Sequence, residues 1–129
     1  MMCSDNHGNT LESLVEPCYS AAYRAWQDED GSTAKRLFGC LAAMAPKDER
    51  GWMGLATVYE RERKWHVAVG FYGVATVMAP GNPWCHLGKA RCLMRMGREP
   101  QARRTFDLAE SLSDDADFLD ALERERGER

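Results

Sequence analysis

The apolar positions in the middle of the chain follow a helical spacing. Trp52, Leu55, Ala56 and Tyr59 stand three and four residues apart, which places them on one face of a helix. A second apolar segment with small residues begins at about Ala68, after the charged run between the two segments. The pattern predicts two helices that pack against each other, and the same pattern before and after them predicts an all-α chain.

The helical pattern repeats at a fixed interval. Met44-Ala45-Pro46 recurs as Met78-Ala79-Pro80. This interval equals the length of a tetratricopeptide repeat, roughly 34 residues, whose pattern is W-x2-L-G-x2-Y, then A-x3-F, then P. The chain matches that pattern, with Ala for Gly and Tyr for Phe, at Trp52, Leu55, Ala56, Tyr59, Ala68, Tyr72, Ala75 and Pro80.

Steps of one repeat length in both directions predict three repeats. The first has Ala22, Ala34, Phe38 and Pro46, and the third has Ala90, Gly97, Ala102, Phe106 and Ala109. The predicted repeats cover about 15–48, 49–82 and 83–116, with a capping helix at about 115–126. We expect a short right-handed superhelix formed by residues 12–129, preceded by a flexible N-terminal arm at 1–11.

Side-chain size at the repeated positions predicts the core. Alanine on both helices of each pair allows close approach, and the aromatic residues Phe38, Tyr72 and Phe106 fill the gap against the next pair. Asp48 and Asn82 are expected to cap the helices that follow them. Trp65, at the start of a second helix, is interpreted as a packing residue.

Composition limits the classes of partner and chemistry. The net charge of −3 in 129 residues, with 44% hydrophobic and 29% charged residues, gives no basic excess for nucleic acid or a membrane surface. No apolar run long enough to span a bilayer and no signal peptide is recognised, so a cytoplasmic protein is expected.

Cysteine and histidine positions do not indicate chemistry. The five cysteines are expected to be reduced, and no metal site is expected because Cys85 and Cys92 share a helix face while His86 points elsewhere. His7 and His66 are also scattered, and there is no Gly-rich phosphate loop. We therefore expect neither an enzyme nor a bound cofactor.

The first helix of each repeat is expected to line a concave groove that binds an extended peptide with apolar side chains. The predicted lining, with Trp84 near the rim, is Tyr19, Tyr23, Trp26, Met53, Thr57, Glu60, Trp84, Leu87, Arg91, Met94 and Arg95. Any of the apolar ones could instead belong to the core. A clamp for C-terminal carboxylates is disfavoured, because Arg50, Arg61, Arg91 and Arg95 lack a repeated Lys and Asn pattern.

Over about residues 34–116 the chain resembles the class II chaperones of bacterial type III secretion, which have three tetratricopeptide repeats. The second repeat resembles theirs at Gly54-Leu55-Ala56, Tyr59, Ala68, Tyr72, Ala75 and Pro80, and the third at Pro83, Ala90, Cys92, Leu93, Gly97 and Ala102. The Ala-x-Cys motif is the more specific part, since generic repeats do not require that cysteine. The family commonly has His-Ala-Ala-Glu before the cysteine, where this chain has Gly88-Lys89-Ala90-Arg91.

The resemblance implies a bacterial cytoplasmic chaperone involved in virulence. Its groove would bind an extended segment of a translocator, a hydrophobic pore-forming subunit, and would keep that subunit soluble for export. A needle-subunit chaperone of the same system and a general tetratricopeptide adaptor remain alternatives. Homodimer formation also stays open, because the family's N-terminal arm, which often supports dimers, is longer than residues 1–11.

Overall fold

The computed structural model describes the backbone of residues 3–127 and the side chains of residues 11–127, and every regular element in this range is an α-helix. The helices form three consecutive antiparallel pairs and one further helix, which confirms the all-α, repeat-based prediction. Their bounds are α1 Cys3–Gln27, α2 Gly31–Met44, α3 Glu49–Arg61, α4 Trp65–Met78, α5 Pro83–Arg95, α6 Glu99–Ser111 and α7 Ala116–Arg126.

Local chemistry sets the helix starts. The side chains of Asp48 and Asn82 accept hydrogen bonds from the backbone N–H groups of Arg50 and Trp84, at 3.1 and 3.0 Å, and so cap α3 and α5 as predicted. Pro83 is the first residue of α5, where its missing N–H removes no helical hydrogen bond. These residues therefore fix where the second and third repeats begin.

The turn inside each pair repeats a left-handed backbone position. Glu29, Arg63 and Gly97 have φ values of 61°, 64° and 78°, and each lies one repeat length after the one before. Only the third has the residue type that adopts this conformation without steric cost. The repeat period is thus present in the backbone as well as in the side chains.

The core is built from one aromatic side chain per pair. Phe38 of α2 packs over Gly54 of α3, and Tyr72 of α4 packs over Gly88 of α5. Phe106 of α6 shares a buried cluster with Leu122 of α7. Because positions 54, 88 and 122 are one repeat length apart, α7 lies where the first helix of a fourth repeat would lie, and it caps the array. The small packing residues are fully buried: Ala22, Ala34, Ala56, Ala68, Ala90 and Ala102.

Helix α1 begins before the predicted start of the first repeat. Its backbone is helical from Cys3, so residues 3–11 continue the helix that carries Tyr19 and Tyr23. Residues 1 and 2 lie outside the described residues, and the flexibility of the arm stays a prediction. Among the helices of residues 3–127, none combines the length and apolar character required to cross a bilayer.

Candidate binding groove

The first helices of the three pairs lie side by side and form the inner face of the array. Helix α3 contacts both α1 and α5. Three positions on this face recur once in each repeat. In successive repeats the first position is occupied by Tyr19, Met53 and Leu87. The second is occupied by Tyr23, Thr57 and Arg91, and the third by Trp26, Glu60 and Met94. The lining therefore changes from aromatic at α1 to partly charged at α5.

An apolar depression of about 200 Å³ lies between α1 and α3. It brings together five of the predicted residues, Tyr19, Tyr23, Trp26, Met53 and Thr57. The rings of α1 stack in a row, with centroid distances of 6.2 Å and 5.9 Å between neighbours. Tyr23, the middle ring of this row, is 45% exposed. The depression therefore presents a preformed apolar surface.

Three residues that the sequence analysis did not assign to the groove also line this depression. Phe38 reaches it from α2, Gly54 leaves room for the Phe38 ring, and Arg50 lies at its edge. The recurrence of Gly54 as Gly88, on the same face of α5, is the sequence signal that could have predicted this space. Phe38 was assigned only to the core.

Arg50 is held in place by two carboxylates. Its guanidinium contacts Glu16 at 2.7 Å and Asp48 at 2.8 Å, and it lies 4.7 Å from the ring centroid of Tyr19. Hydrogen bonds from Arg50 lower the pKa of both carboxyl groups below their ordinary values. This arginine therefore fixes the edge of the apolar depression, with its charge already neutralised.

A second depression, of about 450 Å³, continues the groove between α3 and α5. It contains the predicted residues Glu60, Arg91 and Arg95, and it shares Trp26 and Thr57 with the apolar depression. Its remaining lining residues are Arg61 and Trp65. Trp65 was interpreted from the sequence as a packing residue; its half-buried ring does pack on the core, and it also borders this space.

Glu60 and Arg91 form a polar cluster with the buried Tyr72. The Tyr72 hydroxyl donates to Glu60 Oε1 at 2.8 Å, and Arg91 donates through Nε to Glu60 Oε2 and through Nη2 to Oε1. Burial, followed by the charge of Glu60, raises the pKa of Tyr72 well above its ordinary value. Glu125 of α7 also lies 3.7 Å from Arg91. The cluster ties α3, α4, α5 and α7 together.

Three predicted lining residues lie outside both depressions. Leu87 is only 2% exposed and packs with Phe118 of the capping helix, so its assignment to the groove was wrong. Met94 packs against the same cluster. Trp84 is half-exposed, with its ring 4.9 Å from that of Phe118. Helix α7 covers this end of the inner face, which the periodicity of the three repeats could not show.

Two of the cysteine thiols are packing groups in this fold. Cys85 and Cys92 are buried, and burial, with a smaller effect of a nearby carboxylate, raises the pKa of each to about 12. Both are therefore protonated near neutral pH. Within the described part of the chain, no group of three or more His, Cys, Asp and Glu side chains is arranged to hold a metal ion.

No protein-family model matches the chain. Among curated proteins it is similar to the Low calcium response locus protein H of Yersinia pestis, with 25% identity over 124 residues. This alignment covers 95% of the chain and 71% of the relative. A counterpart from Yersinia pseudotuberculosis serotype I (strain IP32953) is also 25% identical, and 64% of its length is covered.

Solved structures of type III secretion chaperones have the same fold. The Yersinia enterocolitica chaperone SycD in complex with a peptide of the translocator YopD matches with a TM-score of 0.82 and 24% identity, over 88% of this chain and 87% of SycD. PcrH in complex with the chaperone-binding region of PopD matches with a TM-score of 0.80 and 22% identity, over 90% and 87% of the two chains. The chain thus resembles SycD and PcrH in fold and the Low calcium response locus protein H in sequence.

Proposed function

We propose that this protein is a chaperone that binds an extended segment of a type III secretion translocator in its concave groove. The observation that carries the proposal is the open apolar depression between α1 and α3, lined by Tyr19, Tyr23, Trp26 and Met53. The similarity to SycD and PcrH, which are solved with translocator peptides, supports this choice of client.

The groove would act by removing apolar client surface from water. Burial of about 600 Å² of apolar area at about 25 cal/mol/Å² contributes roughly 15 kcal/mol. Association and the ordering of an extended peptide cost about 4 to 15 kcal/mol, which leaves at most about 11 kcal/mol and a dissociation constant no lower than roughly 10 nM. Such an affinity holds a client in solution and still allows export machinery to release it.

The proposed activity is binding without catalysis, and the proposed location is the bacterial cytoplasm, where the client awaits export. Binding in the groove would cover the apolar surface of the client and so prevent its premature association and aggregation. A homodimer of the chaperone, mediated by the N-terminal part of α1, stays a prediction. The alternatives are a needle subunit as the client and a general adaptor role. Co-expression with a translocator and with a needle subunit distinguishes them.

Groove variants test the proposal. Tyr23→Ala and Met53→Glu are expected to weaken translocator capture, because they remove an exposed ring and place a charge in the apolar depression. The matched control is Leu108→Ala, which removes an equally exposed apolar side chain (46%) from α6, outside both depressions.

The readout is pull-down of the co-expressed translocator, with circular dichroism to verify helicity. Capture that survives both groove substitutions in folded protein would count against the proposed site. Loss of helicity would instead show that these residues belong to the core.

A further inference from the structure

Two arginines in the second depression are left without an anionic partner. Within the described part of the chain, Arg91 pairs with Glu60 and lies near Glu125, whereas neither Arg61 nor Arg95 is within ion-pair distance of a carboxylate. This imbalance is local, because the chain as a whole has a net charge of −3. The depression therefore carries an excess of about two positive charges.

Aromatic rings orient both guanidinium groups. Arg61 lies 4.0 Å from the Trp26 ring and donates through Nη1 to the Trp26 carbonyl oxygen at 2.6 Å. Arg95 lies 5.6 Å from the Trp65 ring. Stacking holds a guanidinium by its face and leaves N–H groups at its edge available to donate. Hydrogen bonds from such groups to a carboxylate are among the strong ones in proteins.

Trp26 links the two depressions, because it lines both of them. Its indole Nε1 is buried without an acceptor in the described part of the chain, so this donor does not face a ligand in the open depression. The preference for an oxygen ligand is therefore carried by the two exposed guanidinium groups, Arg61 and Arg95.

We propose that the second depression binds an acidic side chain of the client, a Glu or Asp close in sequence to the apolar residues seated in the first depression. The inference rests on the proposed function and specifies the client sequence that the groove prefers. The two depressions are open and share Trp26 and Thr57, so a chain seated in the first continues along the second. This continuity favours a side-chain carboxylate over the carboxylate of a chain end.

The test uses synthetic fluorescein-labelled peptides with two leucines and one Glu, which is moved one residue at a time along an amidated chain, before and after the leucines. Each peptide has a Gln counterpart, and one Gln peptide has a free C-terminus. Fluorescence anisotropy gives the dissociation constants for the wild type, Arg61→Gln/Arg95→Gln and the control Arg103→Gln. The control removes an exposed positive charge from α6, away from the groove.

We expect Glu to bind about tenfold more tightly than Gln at the best position, and the double variant to lose this difference while the control keeps it. Equal behaviour of Glu and Gln peptides with the wild type, whether both bind or neither does, would overturn the inference. An arginine-dependent gain confined to the free C-terminus would also overturn it. Neither result affects translocator capture through Tyr23 and Met53, so failure here is distinguishable from failure of the proposed function.

Discussion

At the scale of single residues, two glycines are required by the aromatic rings of the preceding pair. A Cβ at position 54 would overlap the Phe38 ring, and a Cβ at position 88 would overlap the Tyr72 ring. Gly73 of α4 differs, because a Cβ there meets no atom within 4 Å. The same residue type therefore has a packing role at positions 54 and 88 and none at 73.

Gly88→Ala is expected to destabilise the protein by about 1–3 kcal/mol, because the added methyl group displaces the buried Tyr72 ring. Gly73→Ala, the matched control in an open helical position, is expected to stabilise it by about 0.5–1 kcal/mol. Urea denaturation followed by circular dichroism measures both. A Gly88→Ala protein as stable as the wild type would contradict the described packing of Tyr72 against α5.

The pairing of Asp48 with Arg50 predicts a pH dependence. The hydrogen bond from Arg50 lowers the folded-state pKa of Asp48 below its ordinary value of 3.8. A lowered carboxyl pKa contributes stability above the unfolded-state pKa, and the contribution is lost as the pH falls through the folded-state pKa. Asp48→Asn keeps a capping side chain but removes the charge.

The wild type is therefore expected to be more stable than Asp48→Asn by up to about 1 kcal/mol at pH 7, with the difference shrinking as the pH falls below about 4 and lost below the lowered folded-state pKa of Asp48. Denaturation of both proteins across this pH range is the measurement. A stability difference between the two proteins that is the same at pH 3 as at pH 7 would show that the pairing of Asp48 with Arg50 does not cause it.

At the scale of helices, the repeat period explains the three pairs, their caps and the buried alanines. It also accounts for α7, since Leu122 occupies the position of Gly54 and Gly88 one repeat later. A leucine fits there because it packs with Phe106 and Phe118 in one buried cluster. Helix α7 thus packs over Phe106, the last of the repeated aromatic residues.

Leu122→Ala is expected to destabilise the protein by about 2–5 kcal/mol, because it leaves a cavity against Phe106. Leu108→Ala, on the exposed side of α6, is expected to change stability by less than about 0.5 kcal/mol. Thermal or urea denaturation of the two variants tests the role of α7. Equal stability of both variants would mean that α7 does not seal the core.

The groove could be predicted from sequence only where the repeats are regular. Tyr19, Tyr23 and Trp26 follow helical spacing on α1, and the structure brings them together with Met53. Leu87 occupies the same repeat position as Met53 and yet is buried, because it shares a cluster with Phe118 and Leu122 of α7. The repeat period predicts which face of a helix points inward. It does not predict whether another helix such as α7 buries residues on that face, because this depends on packing between segments that are distant in the sequence.

At the scale of the whole molecule, the inner face has two chemically distinct ends. The α1–α3 end is aromatic and open, and the α3–α5 end carries Arg61 and Arg95 beside the neutralised Glu60–Arg91 pair. Helix α7 closes the array beyond α5. We propose that the aromatic end holds an extended apolar segment of the client, and this claim does not depend on the acidic residue inferred for the charged end.

Co-expression of the chain with a candidate translocator and, separately, with a needle subunit tests this claim most directly. The measurement is the amount of each client that stays soluble and elutes with the chain in size-exclusion chromatography. The account predicts a stable complex with the translocator that Tyr23→Ala weakens and Leu108→Ala does not. Capture of the needle subunit alone, or of neither client, would contradict it.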